Sequence, residues 1–173
     1  IKEEAKPKAA HAQLLGSGTI LREVLAASEL LQDDWKVSTD VWSVTSFTEL
    51  RRDGLSIDRE SMYNPEVAEK STWVAQCLEA TKGPVIATTD YMRSVPDLIR
   101  TWVPRRYVTL GTDGYGRSDT RKALRDFYEV DRFHITLATL KALVADGAIE
   151  KKTLAKAIQK YGLEGNKPNP WDI

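Results

Sequence analysis

Two hydrophobic periods alternate along this chain. Ala12-Gln13-Leu14-Leu15 is a short, mainly apolar run stopped by Gly16-Ser17-Gly18, which predicts a strand and a tight turn. Ile20, Val24, Ala27 and Leu31 then recur at helical spacing, as do Leu21 and Leu25. Between Trp35 and Val44, the residues Val37, Val41, Trp42 and Val44 stand among Thr and Ser, and the segment is expected to form a strand. Ser46-Phe47-Thr48-Glu49 has the form of a capping box, with the serine hydroxyl accepting from the Glu49 amide and the glutamate reaching back to the serine amide. The helix it opens is expected to stop near Gly54. Another is expected to begin at Asn64-Pro65, with Val67, Val74, Cys77 and Leu78 inward.

Gly83-Pro84-Val85-Ile86-Ala87-Thr88-Thr89 predicts a turn and a buried strand. A helix through Leu98, Ile99 and Trp102 leads to Pro104, and Tyr107–Leu110 makes a further strand that ends in the glycine-rich run Gly111–Asp119. The remainder is helical, with Asp119 and Asp131 as expected caps. Phe133, Leu137, Leu140 and Val144 form one helical face, Leu154, Ala157, Ile158 and Tyr161 another, and Gly162 ends the last helix. Short strands alternating with helices predict a three-layer α/β/α fold around a parallel-rich mixed sheet of about four to five strands. Residues 1–11, charged and carrying Pro7, are expected to be a linker or tail, and residues 12–173 one domain. A start at Ile1 instead of Met suggests a piece of a longer polypeptide.

At 173 residues, with 42% hydrophobic and 29% charged residues, the chain has the composition of one globular domain. Lys plus Arg and Asp plus Glu number 25 each, so no net positive field marks a nucleic-acid binder. No run of ~20 apolar residues suggests a membrane span, and no signal peptide is expected. The single Cys77, in an apolar run, fits a small core residue in a reducing compartment, and the cytoplasm is expected.

Three loops fall at the carboxyl edge of such a sheet, where ligands of open α/β folds usually sit: Gly16-Ser17-Gly18-Thr19, Ser43-Val44-Thr45-Ser46, and Gly111-Thr112-Asp113-Gly114-Tyr115-Gly116-Arg117-Ser118-Asp119. The first begins like a dinucleotide fingerprint but carries Leu21 where a third glycine or alanine is needed. The last admits two readings. Its amides with Arg117 and Arg121 could hold an anion while Asp113 or Asp119 takes a hydroxyl. Alternatively its glycines serve tight packing at an interface, Asp119 caps a helix and Arg117 pairs locally. Neither His11 nor His134 has an acidic or thiol partner at metal spacing, and no serine elbow or phosphate-cradling lysine loop is present. No complete active site can be assembled from these residues.

Four strings nonetheless resemble, in order and spacing, the C-terminal domain of the homodimeric bacterial pyruvate dehydrogenase first (decarboxylase) components, members of the transketolase-like superfamily. They are Gln13–Gly18, Asp40–Leu50, Thr88-Thr89-Asp90-Tyr91-Met92, and Leu110–Asp119, and the likeness runs from about Gln13 to the end. The resemblance implies a parent of three α/β domains that holds thiamine diphosphate and Mg2+ between its first two domains in a homodimer. Such a parent decarboxylates pyruvate and passes the acetyl unit to the lipoyl group of a dihydrolipoyl acetyltransferase. It also implies that the third domain is non-catalytic, packs on the other domains and the dimer partner, and has five strands with the first antiparallel. Thr112-Asp113-Gly114 is not the family's Gly-Asp-Gly and Asn-Asn cofactor motif, so no cofactor, metal or catalytic residue is expected within this chain. The family's opening strand would lie upstream of Ile1, leaving a sheet edge open to pairing. The competing reading is an independent small-molecule or nucleotide-binding module that uses the Gly16–Gly18 and Gly111–Asp119 loops.

Overall fold

The computed structural model describes residues 10–68 and 70–172; most of the expected tail, residues 1–9, lies outside them. The elements are β1 (His11–Gly16), α1 (Leu21–Trp35), β2 (Ser38–Ser43), α2 (Phe47–Tyr63), α3 (Trp73–Glu79), β3 (Val85–Thr88), α4 (Ser94–Asp97), β4 (Tyr107–Leu110), α5 (Arg121–Phe127), α6 (Arg132–Ala145) and α7 (Lys152–Tyr161). The four strands lie in the order β2-β1-β3-β4 and every pair is parallel. Leu14 stands opposite Val41 on one side and Ile86 on the other, with Val108 beyond. No antiparallel strand occurs among the described residues, and β2 and β4 form the edges.

Adjacent residues of β1 point to opposite faces, and each face has its own core. Leu14 packs with Val24, Leu31, Ile86, Ile135, Leu140 and Leu143, under α1 and α6. Leu15 packs with Phe47, Val74, Leu78, Ala87 and Ile99, under α2, α3 and the short turns that follow β3. These are the three expected layers. Gln13, fully buried on the central strand, is satisfied from three sides: its amide donates to Asp40 at 2.7 Å and to the Lys82 carbonyl at 3.1 Å, and its carbonyl accepts from the Trp42 indole at 2.8 Å. A buried amide left unpaired costs about 1–3 kcal/mol, so this network fixes β1 against its neighbours.

Several boundaries differ from expectation. His11 is the first residue of β1, not tail, and its Nε2 lies 2.7 Å from Asp40. Trp35 ends α1 rather than opening a strand, because Lys36 turns the chain in the left-handed conformation (φ 56°). Of the second helical row, Leu25 is exposed. The Ser46 hydroxyl does accept from the Glu49 amide at 3.2 Å, but the Glu49 carboxylate pairs with Arg52 instead of reaching back. Helix α2 runs through Gly54 to Tyr63, and Asn64 caps its end by donating to the Glu60 carbonyl. The next helix therefore starts only at Trp73, capped by the Thr72 hydroxyl, and Val67 is 57% exposed. The expected helix through Leu98 and Trp102 is a single turn, α4, followed by a 3-10 turn at Arg100–Trp102. In α6 the buried positions are Ile135, Thr136, Thr139, Leu140, Ala142 and Leu143, while Phe133, Leu137 and Val144 are half-buried.

Gly54 continues the helix because the Trp102 indole needs its space. A Cβ there would lie 2.4 Å from indole Cε2. Helix propensity alone makes Gly→Ala stabilising by up to about 1 kcal/mol. Gly54→Ala is instead expected to destabilise the chain by about 1–3 kcal/mol, as overpacking does. Urea denaturation gives the sign directly.

Glu23, 5% exposed, faces the first core between α1 and the C-terminal helices. Its carboxylate accepts from Arg125 Nη1 at 2.7 Å and from Arg132 Nε at 3.0 Å and backbone N at 3.1 Å. Burial pushes the Glu23 carboxyl up, but the hydrogen bonds and charge of Arg132, with the charge of Arg125, outweigh it and hold the group below the ordinary glutamate range. A depressed folded-state pKa gives stability that is present above the unfolded value and lost as pH falls through the folded one. Glu23→Gln should therefore cost about 1.5–3 kcal/mol at pH 7. Its stability should also fall less steeply than wild type below about pH 4.3. Parallel acid curves for the two proteins would count against the assignment.

Candidate functional site

The carboxyl ends of β1, β2 and β4 carry the loops that the sequence singles out. In the first, Gly18 takes φ 54°, which lets the chain turn from β1 into α1. Ser17 Oγ donates to Thr89 Oγ1 at 2.8 Å and Thr19 Oγ1 to Asp90 at 3.2 Å, so the turn after β1 is fastened to the turn after β3. The Gly111–Asp119 loop is fastened to the same segment. The Thr112 amide donates to the Tyr91 carbonyl at 2.9 Å, and its hydroxyl to the Asp90 carbonyl at 2.8 Å. Asp113 accepts from the Arg93 amide at 2.9 Å and lies 3.3 Å from Arg93 Nε. Gly111 must be glycine here: a Cβ would approach the Tyr91 carbonyl to 2.6 Å.

Beyond Asp113 the loop meets the end of the chain. Gly114 takes φ 121°, and a Cβ on it would stand 2.5 Å from the carbonyl of buried Pro170. Trp171 receives the Arg93 guanidinium over its ring at 5.5 Å, and Lys167 donates to the Asp126 carbonyl at 2.9 Å. The Tyr128 hydroxyl donates to the Tyr115 carbonyl. Arg117 does not pair with a local acid as expected. Its guanidinium stacks over Phe127 at 4.1 Å. Nor does Asp119 cap α5; Thr120 does, through its hydroxyl and the Ala123 amide, while Asp119 accepts from the Thr120 amide.

The singled-out residues are thus divided. Thr112, Gly114, Gly116, Arg117 and Asp119 line a cleft of about 640 Å3 with Thr19 and Asp90. Ser17, Thr45 and Ser46 line a second pocket, of about 320 Å3, with Tyr91. Gly16 is consumed by close packing on α1, and Tyr115 and Ser118 are exposed on the loop's outer side. Asp90, Arg93, Arg125 and Trp171 belong to this edge without having been singled out. His134 also differs from expectation: its Nδ1 lies 2.8 Å from Asp131 Oδ1, and Asp126 is close by. That Asp131 oxygen already accepts from the Phe133 and His134 amides as the cap of α6, which gives the cluster a structural role.

A parallel sheet of this order between two helical layers, with its loops locked by side-chain and glycine contacts, defines an open α/β domain. The family model described as the transketolase-like C-terminal domain matches residues 1–131, and the chain belongs to that family. Among curated proteins it is similar to the pyruvate dehydrogenase E1 component of Cupriavidus necator, at 55% identity over 161 residues, 93% of this chain and 18% of that protein. It is 53% identical over 173 residues to the E1 component of Pseudomonas aeruginosa, covering 99% of this chain and 20% of that protein. It is 46% identical over 159 residues to that of Escherichia coli K12, covering 91% and 18%. The chain therefore spans about a fifth of the length of the curated relatives it matches. A solved structure described as a split-gene transketolase, an inactive β4 tetramer, superposes with a TM-score of 0.55 at 17% identity, over 80% of this chain and 41% of that one. That likeness shows the fold alone.

The latch between loop and chain end gives a prediction. Gly114→Ala should displace the terminal segment from the Arg93 guanidinium and shift the Trp171 indole resonance in NMR spectra, with the sheet unperturbed. An unchanged Trp171 resonance would contradict the latch.

Proposed function

We propose that this chain is the C-terminal, non-catalytic domain of a thiamine diphosphate-dependent pyruvate dehydrogenase E1 component that acts in the cytoplasm. Its parent decarboxylates pyruvate and reductively acetylates the lipoyl group of a dihydrolipoyl acetyltransferase. The observation that carries this reading is that identity of 53% extends over 99% of the chain but only 20% of the Pseudomonas aeruginosa relative. The chemistry is assigned to the part of the parent outside this region.

The domain's own contribution is packing, against the remaining domains and a homodimer partner. Tyr91, Met92, Tyr115 and Trp171 are all exposed at the carboxyl edge, Tyr115 to 77%, although the backbone beneath them is tied down. Large apolar side chains held out on a rigid support suit an interface more than a solvated loop. The loop does not offer a fit for thiamine diphosphate and Mg2+. Asp113 is already engaged by Arg93, and among the described residues it belongs to no cluster of three or more His, Cys, Asp or Glu that could hold a metal ion.

Two checks follow. The gene encoding this chain should carry, upstream of Ile1, the Gly-Asp-Gly and Asn-Asn motif of the family. The 173-residue chain, titrated with thiamine diphosphate and Mg2+ in a calorimeter, should give no binding heat and should not decarboxylate pyruvate. Micromolar affinity for the cofactor would overturn the reading.

A further inference from the structure

We propose that the cleft between the Thr19 turn and the Gly111–Asp119 loop binds a small polyhydroxylated phosphate ester. Arg117 and Arg121 would take the phosphate, and Asp90 and Asp119 the hydroxyls.

The cleft's position comes from topology. Strand β1 connects outward to β2, while β3 lies on its other side, so the chain leaves the carboxyl ends of β1 and β3 in opposite directions. That divergence opens a crevice, the place where open α/β sheets bind ligands. Thr19, directly after β1, and Asp90, directly after β3, both border the cleft. Its volume of about 640 Å3 suits a small metabolite.

Charge selects the ligand class. Arg125, on the cleft wall, is committed to Glu23 at 2.7 Å. Among the described residues, Arg117 and Arg121 form no ion pair, and Lys122 beside them forms none either. Arg117 is held in place by Phe127, so a guanidinium is presented at little entropic cost. Arg121 borders both this cleft and a neighbouring one of about 530 Å3, where Lys122 adds positive charge and Arg132 is held by Glu23. The two unpaired guanidinium groups match a phosphate dianion in geometry as well as sign, while Asp90 and Asp119 on the same wall balance their charge.

The two acids narrow the class further. Asp90 accepts from Thr19 through Oδ2, and Asp119 from the Thr120 amide through Oδ1, which leaves each with an oxygen that has no hydrogen-bond donor among the described residues. A site for a bare anion gains nothing from carboxylates on its wall. A ligand with hydroxyl groups beside its phosphate uses both. The proposal concerns residues on this chain alone and does not depend on the activity assigned to the parent.

The test is 1H–15N NMR on the 173-residue chain with three probes: glycerol 3-phosphate, inorganic phosphate and glycerol. Glycerol 3-phosphate should give saturable shifts of the Gly114, Gly116 and Ser118 amides, with a dissociation constant in the millimolar range or tighter. Inorganic phosphate should bind at least several-fold more weakly, and glycerol alone should leave the spectrum unchanged. Arg117→Ala with Arg121→Ala should weaken glycerol 3-phosphate binding by about tenfold or more. Asp119→Asn should reduce the preference for glycerol 3-phosphate over inorganic phosphate, in a spectrum otherwise that of the folded wild type. Absence of saturable shifts up to about 10 mM, a weak limit in affinity terms, would overturn the proposal. So would equal affinity for the two phosphates, or binding that survives loss of both arginines.

Discussion

The buried carboxylate of Glu23 is the interaction on which the C-terminal half of the molecule depends. It projects from the first turn of α1 and is met by Arg125 on α5 and Arg132 at the start of α6. Glu23 in turn depends on both arginines, because an uncompensated buried charge costs about 3–5 kcal/mol once its partner is removed. One carboxylate thus sets the position of two helices relative to the sheet. The loop leading into α5 inherits that position, and with it the wall of the carboxyl-edge cleft.

A second constraint acts at the other end of the same loop. Residues 111–113 lie against the turn after β3 so closely that Gly111 is required, and the chain end closes over Gly114 through Pro170 and Trp171 so closely that a second glycine is required there. The loop is therefore anchored at its start by the Tyr91–Arg93 backbone, in its middle by the chain end, and at its exit by Glu23 through α5. Its glycines serve contact, not motion. A loop built this way holds the exposed Tyr115 and Arg117 in fixed directions, which is what either a domain interface or an anion site requires.

The strands and their order of appearance could be read from sequence because apolar runs bounded by Gly, Pro and Ser have few other uses, and all four lie where those runs stand. Glu23 was also legible in principle: it falls four residues before Ala27 and eight before Leu31, on the buried stripe of α1, and an acid there requires a buried partner. The helix ends were less legible. Gly54 resembles a stop signal until the Trp102 indole is known to fill the space of its side chain, a contact across 48 residues that no local rule contains. Asn64-Pro65 looks like a helix start for the same reason that it makes a good helix end: the asparagine side chain can bond backbone groups on either side. The partition of the candidate residues between two pockets was beyond sequence because it depends on Ser17 turning toward Thr89 while Thr19 turns toward Asp90. Family strings, by contrast, identified the domain directly, since the spacing of Leu110–Asp119 records contacts that a single-residue rule cannot see.

The central claim is that the carboxyl edge is a preformed packing surface for the rest of a longer enzyme. Hydrogen exchange, compared between this chain alone and the same region within its parent, tests that claim most directly. The account predicts that the amides of Tyr115–Ser118 and Met92 exchange at least tenfold more slowly in the parent, while those of β1 and β3 are equally protected in both. Equal exchange at Tyr115–Ser118 in the two settings would contradict it.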